Sequence, residues 1–354
     1  MNPKQKPSNN IVKLSDIAAY CNLSISTVSR VLSGNSGNFK ISEETIHKVS
    51  DVAKKLNYRP NRLARAIKSR RTHLIGLSLP HYTEDDFSDE MTFANEHRVI
   101  GLLFSSIQKH PCFKNYDLVI HHRNEQPNSK DIFNADLIDG LIYALPSINC
   151  TELIKQIQSQ IPVVILGDTP TLHKQAVCVD MNNRKMAEAA TRYLLSTGRK
   201  KILLLIPESV PAFCIQDRIL GYREAIASAG LPENPDLVRV LKCDPDFLAQ
   251  YIQSSDTFAH IDAVFGLTDE MASFCINPLK KRGFRIPEDI SIMGFSGHNL
   301  FTQTNPPLST VKTPFGKMAY TAIDMLIDVL DHNRPYTPGF YEVPAEIIIK
   351  GSTV

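Results

Sequence analysis

The sequence predicts a small all-α domain at the N-terminus, followed by a larger α/β domain built on doubly wound parallel sheets. Apolar residues fall at helical spacing up to about residue 58, and short apolar runs alternate with helical stretches from residue 73 onward. The charge also changes sign between the two parts. Residues 1–73 carry 14 Lys and Arg against 4 Asp and Glu, whereas the remainder carries 25 against 33. A basic domain that is also folded is typical of proteins that contact phosphate backbones.

The composition narrows the classes of protein. A chain of 354 residues with 43% apolar content can bury two or three cores. We find no stretch long and apolar enough to span a bilayer, and the N-terminus lacks the apolar core of a secretory signal, so we expect a cytoplasmic protein without membrane contacts. The seven cysteines include no CxxC pair, which favours reduced thiols over disulfides or structural zinc.

Residues 15–32 predict two short helices around a tight turn. In the first helix, Ile17, Ala18 and Cys21 lie at helical spacing. Ser24 is placed to cap the second helix, which then begins at Ile25. The inward-facing residues of this second helix are Val28, Val31 and Leu32, and the outward-facing ones are Ile25, Ser26, Ser29 and Arg30. A polar and basic outer face with almost no acid suits a polyanionic groove, although a generic amphipathic helical hairpin would show the same pattern.

The flanking segments complete the N-terminal part. Residues 1–12 are polar and contain two prolines, so we expect them to be disordered. Ser42 is predicted to cap a third helix that ends at about Leu56. Its buried stripe would be Ile46, Val49, Val52, Ala53 and Leu56. After Pro60, residues 61–68 form a helical octet too short to be stable alone, which an ordinary interdomain linker would also explain.

The C-terminal part alternates strands with helices. The apolar runs predicted as buried parallel strands are Leu74 to Leu79, Leu118 to Ile120, Gly140 to Ala144, Val163 to Leu166, Ile202 to Ile206, Ala263 to Leu267 and Ile290 to Phe295. Helices are predicted between them, at Arg184 to Ser196, Ile219 to Ala229 and Glu270 to Arg282. In such a fold, ligands bind beyond the carboxyl ends of the strands.

A series of motifs in order resembles the LacI/GalR (lactose repressor) family of bacterial transcription regulators. Those of the N-terminal part are residues 15–32, Ser42 to Thr45, Leu56 to Arg65 and Thr72 to Gly76. Those of the C-terminal part are Ala176 to Asn182 with Ala187 to Ile202, Arg218 to Tyr222, Ala263 to Asp269, Ile286 to Phe295 and Pro306 to Val311. The resemblance implies a helix-turn-helix head and a two-lobed, periplasmic-binding-protein-like effector domain in which the chain crosses three times between lobes.

The resemblance also implies domain boundaries. We expect a disordered arm at 1–12, a helix-turn-helix DNA-binding domain at 13–59, a hinge helix and linker at 60–72, and an effector-binding and dimerisation domain at 73–354. Lobe 1 would span about 73–170 and 305–331, with the last helix (Lys317 to Asp331) in it, and lobe 2 about 174–303 and 333–354. After Ile347 the chain leaves no room for a heptad zipper, so we expect a homodimer rather than a zipper-linked tetramer.

The residues that contact double-stranded operator DNA follow from matching positions in the family. The expected readers of base edges are Ile25, Ser26 and Arg30, of which Arg30 is the strongest candidate because a guanidinium can pair bidentately with guanine. The expected phosphate contacts are Ser24, Thr27, Ser29, Ser42, Thr45, Asn57 and Tyr58. In the hinge, Ala64, Ile67 and Lys68 are expected in the minor groove, with Ile67 as an apolar wedge in place of the usual leucine.

The effector-binding residues expected from the resemblance are Arg218, Thr268, Asp269, Phe295 and Ser296. Arg218 could donate hydrogen bonds to hydroxyls or to a carboxylate, or could form a surface ion pair with Asp217. Asp269 could bind the ligand or cap the following helix. The chain departs from the family at Ser296, where an acidic pair is common, so the resemblance leaves both a sugar and a purine open as the ligand. The rings of Phe213, Phe265 and Phe295 could stack on a sugar or on a purine.

An enzymatic function finds no support in the sequence. There is no Walker loop, GxSxG, HExxH or dinucleotide GxGxxG motif, and His121-His122 follows no metal spacing, so we expect no catalytic residue, metal or cofactor. We therefore predict a sequence-specific transcriptional repressor of a carbohydrate-utilisation operon, controlled by a small-molecule sugar. The alternatives are the same kind of regulator with a purine or nucleoside effector, a sugar-binding receptor, and an enzyme of doubly wound type.

Overall fold

The chain divides into two compact units, Met1–Thr72 and His73–Val354. The computed structural model describes residues 12–33, 41–58, 66, 71–80, 101, 104–123, 137–208, 212–297 and 299–353. The predicted N-terminal arm lies outside the described residues except for Val12. The predicted minor-groove contacts Ala64, Ile67 and Lys68 also lie outside them and stay predictions.

The N-terminal unit contains the three helices that the sequence predicts. They are α1 (Leu14–Cys21), α2 (Ile25–Ser33) and α3 (Glu43–Lys55). A left-handed residue, Asn22 (φ 54°), ends α1 and lets the chain turn. Both predicted caps are confirmed. Ser24 Oγ accepts a hydrogen bond from the Thr27 amide at 3.1 Å, and Ser42 Oγ accepts one from the Thr45 amide at 3.3 Å.

The core of the N-terminal unit is small. Its buried residues are Ile17, Ala18, Cys21, Val28, Val49 and Ala53, with Val31, Leu32, Val52 and Leu56 partly buried around them. The prediction for Ile46 is wrong, because this side chain is 41% exposed. It lies in the first turn of α3, and two other short helices are too little to cover that turn as well as the turns at Val49 and Ala53.

The C-terminal unit contains twelve strands and seven helices with defined bounds among the described residues. The strands are β1 (Leu74–Pro80), β2 (Asp117–Arg123), β3 (Gly140–Ala144), β4 (Val163–Leu166), β5 (Val177–Asp180), β6 (Ile202–Pro207), β7 (Val238–Leu241), β8 (Ala263–Gly266), β9 (Ser291–Ser296), β10 (Ser309–Lys312), β11 (Gly339–Glu342) and β12 (Glu346–Ile348). The helices are α4 (Thr151–Gln158), α5 (Asn183–Ser196), α6 (Phe213–Ser228), α7 (Pro245–Ser254), α8 (Asp269–Lys281), α9 (Asn299–Thr302) and α10 (Phe315–His332).

These strands form two six-stranded sheets, each the centre of one lobe. The first sheet has the order β11-β5-β4-β3-β1-β2, and every pair in it is parallel. The second has the order β12-β10-β9-β8-β6-β7 and is parallel except for β12, which pairs antiparallel with β10. Apolar helix faces cover the sheets, as where Met318, Ala319 and Ile323 of α10 pack on the first sheet. The predicted return of this helix to the first lobe is confirmed.

The chain passes between the sheets three times, after β5, β10 and β11. The predicted lobe boundaries are wrong at these places. β5 belongs to the first sheet and not to the start of lobe 2, β10 belongs to the second sheet and not to lobe 1, and β11 belongs to the first sheet and not to lobe 2. Buried strands look alike in sequence, whereas the sheet that each one joins depends on non-local pairing, such as Leu166 with Val179.

The seven apolar runs predicted as strands all form strands. The elements not predicted as strands include β7, β11 and β12, which have only three or four residues each and lie at sheet edges. Their half-exposed faces lack the continuous apolar run that marks a buried strand. In the described part of the chain, no helix combines the length and the apolar content that crossing a membrane would require.

Candidate DNA-binding surface and effector cleft

The outer face of α2 carries the residues predicted to read DNA. Ile25 is 54% exposed and Ser26 is also exposed, whereas Val28 is fully buried beneath them. Arg30 is partly exposed and is the basic residue of the last turn, and the first turn holds no acid. This division of faces confirms the predicted orientation of the helix. It leaves an apolar side chain, hydroxyls and a guanidinium on the side away from the core.

The two capping serines belong to small hydroxyl clusters. Ser24 Oγ lies 2.8 Å from Ser26 Oγ and 2.8 Å from Thr27 Oγ1, and Ser42 Oγ lies 2.8 Å from Thr45 Oγ1. Each cluster lies at the N-terminus of a helix, where amide groups and the helix dipole favour anions. The hydroxyls of Ser24, Thr27, Ser42 and Thr45 are therefore suitable phosphate contacts that also stabilise the helix ends.

The two predicted contacts after α3 differ from each other. Asn57 is exposed and adopts a left-handed conformation with φ 50°. Tyr58 is partly buried and packs on the core of the N-terminal unit, and its amide donates to the Ala53 carbonyl at 2.9 Å. Tyr58 therefore has a structural role in this unit, and a phosphate contact would be an additional one.

In the C-terminal unit, the Arg218–Tyr222 segment of α6 joins two neighbouring elements. A Cβ on Gly221 would collide with the carbonyl oxygen of Arg184 in α5, so only glycine permits α5 and α6 to pack this closely. Tyr222 donates its hydroxyl hydrogen to the Ile202 carbonyl of β6 at 2.8 Å. These two contacts determine where the N-terminal half of α6, including Arg218, lies.

Arg218 is buried at the carboxyl ends of the second sheet, with 8% of its surface exposed. Its Nε donates to Asn183 Oδ1 at 2.9 Å, and its Nη1 donates to the Leu267 carbonyl at 2.7 Å. The guanidinium lies over the Phe295 ring, with Cζ 3.8 Å from the ring centroid. The alternative prediction of a surface ion pair with Asp217 is wrong, because the side chain is packed and directed by groups from three other segments.

Asp180 lies at the first crossing between the lobes and is almost fully buried. It accepts hydrogen bonds from the Met181 amide at 2.7 Å, the Asp168 amide at 3.0 Å and Asn183 Nδ2 at 3.1 Å. Burial raises the pKa of Asp180 to about 7, although the Met181 amide and the Arg218 charge act in the opposite direction. Asn183 bonds both Asp180 and Arg218, so it links the crossing to the arginine.

The ends of β8 and β9 carry the other predicted effector contacts. Thr268 caps α8 by accepting a hydrogen bond from the Met271 amide at 3.3 Å, so the alternative in which Asp269 caps this helix is wrong. Asp269 is fully buried and accepts a hydrogen bond from Thr310 Oγ1 at 2.5 Å. Ser296 is partly exposed and has φ 131°, a conformation that costs a non-glycine residue of the order of 1–3 kcal/mol.

Comparison with known proteins relates both units to one family. The description "Bacterial regulatory proteins, lacI family" matches residues 13–61, and "Periplasmic binding protein-like domain" matches residues 191–353. Catabolite control protein A of Staphylococcus epidermidis is 29% identical, over 97% of this chain and 99% of its own length. The HTH-type transcriptional repressor PurR of Vibrio cholerae is 27% identical, over 95% of this chain and 96% of its own length. This chain belongs to the LacI family of transcriptional regulators.

Two solved structures of transcriptional regulators have the same fold as this chain. The Lac repressor dimer bound to operator and the anti-inducer ONPF aligns with a TM-score of 0.78 at 20% identity, over 97% of this chain and 99% of that one. The complex of the transcriptional regulator CelR with cellobiose aligns with a TM-score of 0.65 at 21% identity, over 96% of this chain and 99% of the CelR chain. PurR, CelR and the Lac repressor are named as repressors or regulators and not as enzymes.

The LacI-family cleft brings some predicted residues together and not others. Arg218 and Phe295 are in direct contact, and Thr268 follows Leu267, whose carbonyl accepts from Arg218. Phe265 and Phe295 are fully buried, so the predicted stacking of a ligand on Phe265 is wrong and the Phe295 face is occupied by Arg218. Phe213 is partly exposed at the start of α6.

Sequence reasoning missed three polar residues of this cleft, Asp168, Asp180 and Asn183. Asp168 comes two residues after β4, and Asp180 is the last residue of β5. The same signal that identified Thr268, a polar residue directly after a buried strand, was present for both. Asn183 begins α5, and nothing in its local pattern indicates that its side chain bonds an arginine 35 residues away.

Proposed function

We propose that this LacI-family regulator binds a near-palindromic operator as a homodimer and represses a carbohydrate-utilisation operon in the cytoplasm. The observation that carries the DNA-binding part is the outer surface of α2, where Ile25 and Ser26 are exposed and Arg30 is partly exposed, while Val28 is fully buried. A helix of this kind can enter the major groove, and a guanidinium can read guanine there. Two heads are needed because one three-helix head buries too little surface for useful affinity.

The residues around Arg218 support a polyhydroxylated effector. Nη2 of Arg218 makes no hydrogen bond to any described residue, so it remains available as a donor, while the other two guanidinium nitrogens hold the side chain in place. A pre-oriented donor beside the carboxyl group of Asp180 suits vicinal hydroxyls, which both donate and accept hydrogen bonds. The CelR structure, which contains cellobiose, adds support from a protein of the same fold.

A purine or nucleoside is the second candidate effector. The PurR relative favours it by name, and the partly exposed ring of Phe213 could stack on a base. Phe265 and Phe295 cannot stack without rearrangement, because both are fully buried. The described part of the cleft therefore offers more hydrogen-bonding groups than free aromatic faces, which favours the sugar.

Selection of genomic DNA fragments by the purified full-length protein tests the DNA-binding part. We expect one near-palindromic sequence to be enriched. Arg30→Ala should then lose about 1–3 kcal/mol of discrimination at one operator position. Lys68→Ala should weaken binding to all sequences more evenly and reduce the salt dependence. Equal losses on operator and random DNA for Arg30→Ala would remove it as a base reader, and no enrichment at all would overturn the proposal.

A thermal-shift screen tests the effector class. A ligand that binds only the folded C-terminal unit raises its melting temperature by mass action, so sugars, sugar phosphates, nucleosides and purines can be compared at one concentration. We expect a stabilising sugar whose addition weakens operator binding. Stabilisation by purines alone would select the second candidate, and ligand turnover during the assay would contradict a non-catalytic regulator.

A further inference from the structure

Three side chains of different chemistry meet beside β4 and β5 of the first sheet. Asp168 follows β4, His173 follows the 3-10 turn Pro170–Leu172, and Cys178 lies within β5. The carboxylate oxygen, the ring nitrogen and the sulfur that these residues can offer all lie within 4.8 Å of one another. No residue type repeats, and the sequence spacing matches no common metal motif, so the sequence alone predicts no metal site here.

The donor set itself is suited to a transition metal. One carboxylate oxygen, one imidazole nitrogen and one thiolate form the mixed O, N and S set that zinc-class ions accept, and three protein ligands leave one coordination position open. The hard ions Ca²⁺ and Mg²⁺ would need several more oxygens. The chemistry of the cluster therefore selects a borderline ion over a hard one.

Hydrogen bonds and packing hold the three groups in place. The Asp168 amide donates to Asp180 Oδ2 at 3.0 Å, which holds the loop after β4 against the end of β5. The His173 ring packs on Phe340 at 5.6 Å between centroids, and Cys178 is fully buried with its thiol 3.9 Å from the Thr169 carbonyl. Such support preserves a ligand geometry that flexible loops would lose.

A buried hydroxyl beside the cluster gives a second, independent indication. Thr169 lies next to Asp168 in the chain and is fully buried, and its Oγ1 has no hydrogen-bond partner among the described residues. A buried polar atom without a partner costs free energy and calls for a ligand, ion or water. The carbonyl of Thr169 lies 3.9 Å from the Cys178 thiol, so this residue borders the cluster.

Asp168 and His173 are at present joined through a shared hydrogen. Asp168 Oδ1 and His173 Nε2 are 2.5 Å apart, whereas two ligands of one tetrahedral ion with bonds of about 2.1 Å lie roughly 3.4 Å apart. A metal would thus replace the bridging hydrogen and separate the two atoms by about 1 Å. His173 is partly exposed, so its ring has room to move. The carboxylate of Asp217, on α6 of the other lobe, is close enough to interact electrostatically with both residues.

We propose that Asp168, His173 and Cys178 bind one divalent transition-metal ion of the zinc class at the first-lobe side of the cleft, with the open coordination position available to solvent or to an effector. Binding requires the Cys178 thiolate, so the thiol gives up its proton, while the hydrogen on His173 Nε2 moves to Nδ1 and leaves Nε2 free for the ion. One proton from the thiol is therefore released, and affinity falls as the pH is lowered. The proposal does not depend on the identity of the operator or of the effector.

Titration of the reduced, untagged full-length protein with Co²⁺ is the direct test. Cobalt takes the place of zinc and reports its ligands through visible d–d bands and a near-ultraviolet thiolate-to-cobalt band. We expect one equivalent to bind with both features, displacement of the cobalt by Zn²⁺, and release of protons to a weakly buffered indicator. Absence of a thiolate band in the full-length protein would overturn the proposal.

Two variants and one control identify the ligands. His173→Gln changes a partly exposed side chain and should leave the fold intact, so it carries the test even if Cys178→Ser destabilises the buried strand. We expect each to weaken Co²⁺ binding by at least about 100-fold, and Cys178→Ser to abolish the thiolate band. Cys275→Ser is the matched control, because Cys275 is equally buried but lies in a different core, and it should bind as the wild type does. Unchanged affinity in His173→Gln would exclude the site.

Discussion

The N-terminal head and the cleft of the C-terminal unit position their functional side chains in opposite ways. On α2, the residues expected to read DNA are exposed or, in the case of Arg30, partly exposed, and they lie within six positions of one another, because other residues of the same helix face the core. In the cleft, Arg218 is buried and is held by Asn183 and Leu267, which lie 35 and 49 residues away in sequence.

This difference determines how each site responds to mutation. An exposed helix face keeps its geometry as long as the helix stays folded, so single changes there should affect one contact at a time. Arg218 belongs to a network, because Asn183 bonds both Arg218 and Asp180, and the guanidinium also packs on Phe295. Substitutions in this network should therefore have non-additive effects and should alter stability together with ligand binding. The predictions below test this contrast, from the largest expected effect to the smallest.

The largest effect is expected from Val28→Asp. Val28 is fully buried in a core of only a few side chains, and an unpaired carboxylate there would cost several kcal/mol, which a domain of this size cannot tolerate. We expect the head to unfold and operator binding to fall by more than about 100-fold, with effector binding unchanged. Fluorescence anisotropy on operator DNA and ligand-induced thermal shifts measure the two properties.

Ile25→Asp is the control for this variant, because Ile25 is 54% exposed and its replacement should leave the head folded by circular dichroism. Loss of effector binding in Val28→Asp would contradict the independence of the two units.

Arg218→Ala should remove the effector response and leave operator binding intact. Each hydrogen bond from a charged donor contributes roughly 1.5–3 kcal/mol, so the affinity for the effector should fall about 10-fold to 100-fold for each hydrogen bond that Arg218 donates to it. Isothermal titration with the best ligand of the screen measures this decrease. The variant should also lower the melting temperature of the C-terminal unit, because Asn183 Oδ1 and the Leu267 carbonyl lose their donor.

Arg218→Lys separates charge from geometry in that comparison. Lysine retains the charge but not the planar fork that reaches Asn183, Leu267 and the ligand together, so it should restore little affinity. Full affinity in Arg218→Lys would show that the charge alone matters and that the packed arrangement over Phe295 does not.

Asp180→Asn should change how stability depends on pH. Because burial raises the pKa of Asp180 from 3.8 to about 7, the folded protein holds a proton that the unfolded chain loses as the pH rises from about 4 to 7. The contribution of Asp180 to stability therefore decreases across this window and is constant above it. Urea unfolding of the C-terminal unit at a series of pH values should show this decrease in the wild type and a flatter profile in the variant.

Below about pH 4 the wild type and Asp180→Asn should show the same slope, since Asp180 is then protonated in both folded and unfolded chains. A wild-type profile that is identical to that of the variant between pH 4 and 7 would show that Asp180 is ionised throughout.

The smallest effect is expected from Ser24→Ala. Loss of an N-cap costs about 1 kcal/mol, which should lower the stability of the head by that amount and weaken operator binding only slightly if capping is the sole role of Ser24. Ser15→Ala is the control, because Ser15 is exposed in the first turn of α1 and does not cap it. A loss of operator affinity well beyond the measured destabilisation would demonstrate a direct phosphate contact.

Features that depend on residues close in sequence were predicted correctly, whereas features that depend on residues far apart in sequence were not. The caps at Ser24 and Ser42 and the buried strands β3 and β4 were predicted at their observed bounds, because capping and apolar runs are local signals. Ile46 was misassigned because its burial depends on how much neighbouring helix there is to cover it. In the cleft, Arg218 was identified as a candidate, but its partners were not, since hydrogen bonds across tens of residues leave no periodic trace.

The amino-acid sequence by itself determined the order of helices and strands, the basic outer face of α2, and the motifs that place the chain in the LacI family. Only the tertiary structure decided which sheet β5, β10 and β11 join, that Arg218 is held against Phe295, and that Asp168, His173 and Cys178 meet. The physical reason is that side-chain period and capping act over a few residues, whereas strand pairing and close helix contacts, such as the one Gly221 permits, depend on the packing of distant segments.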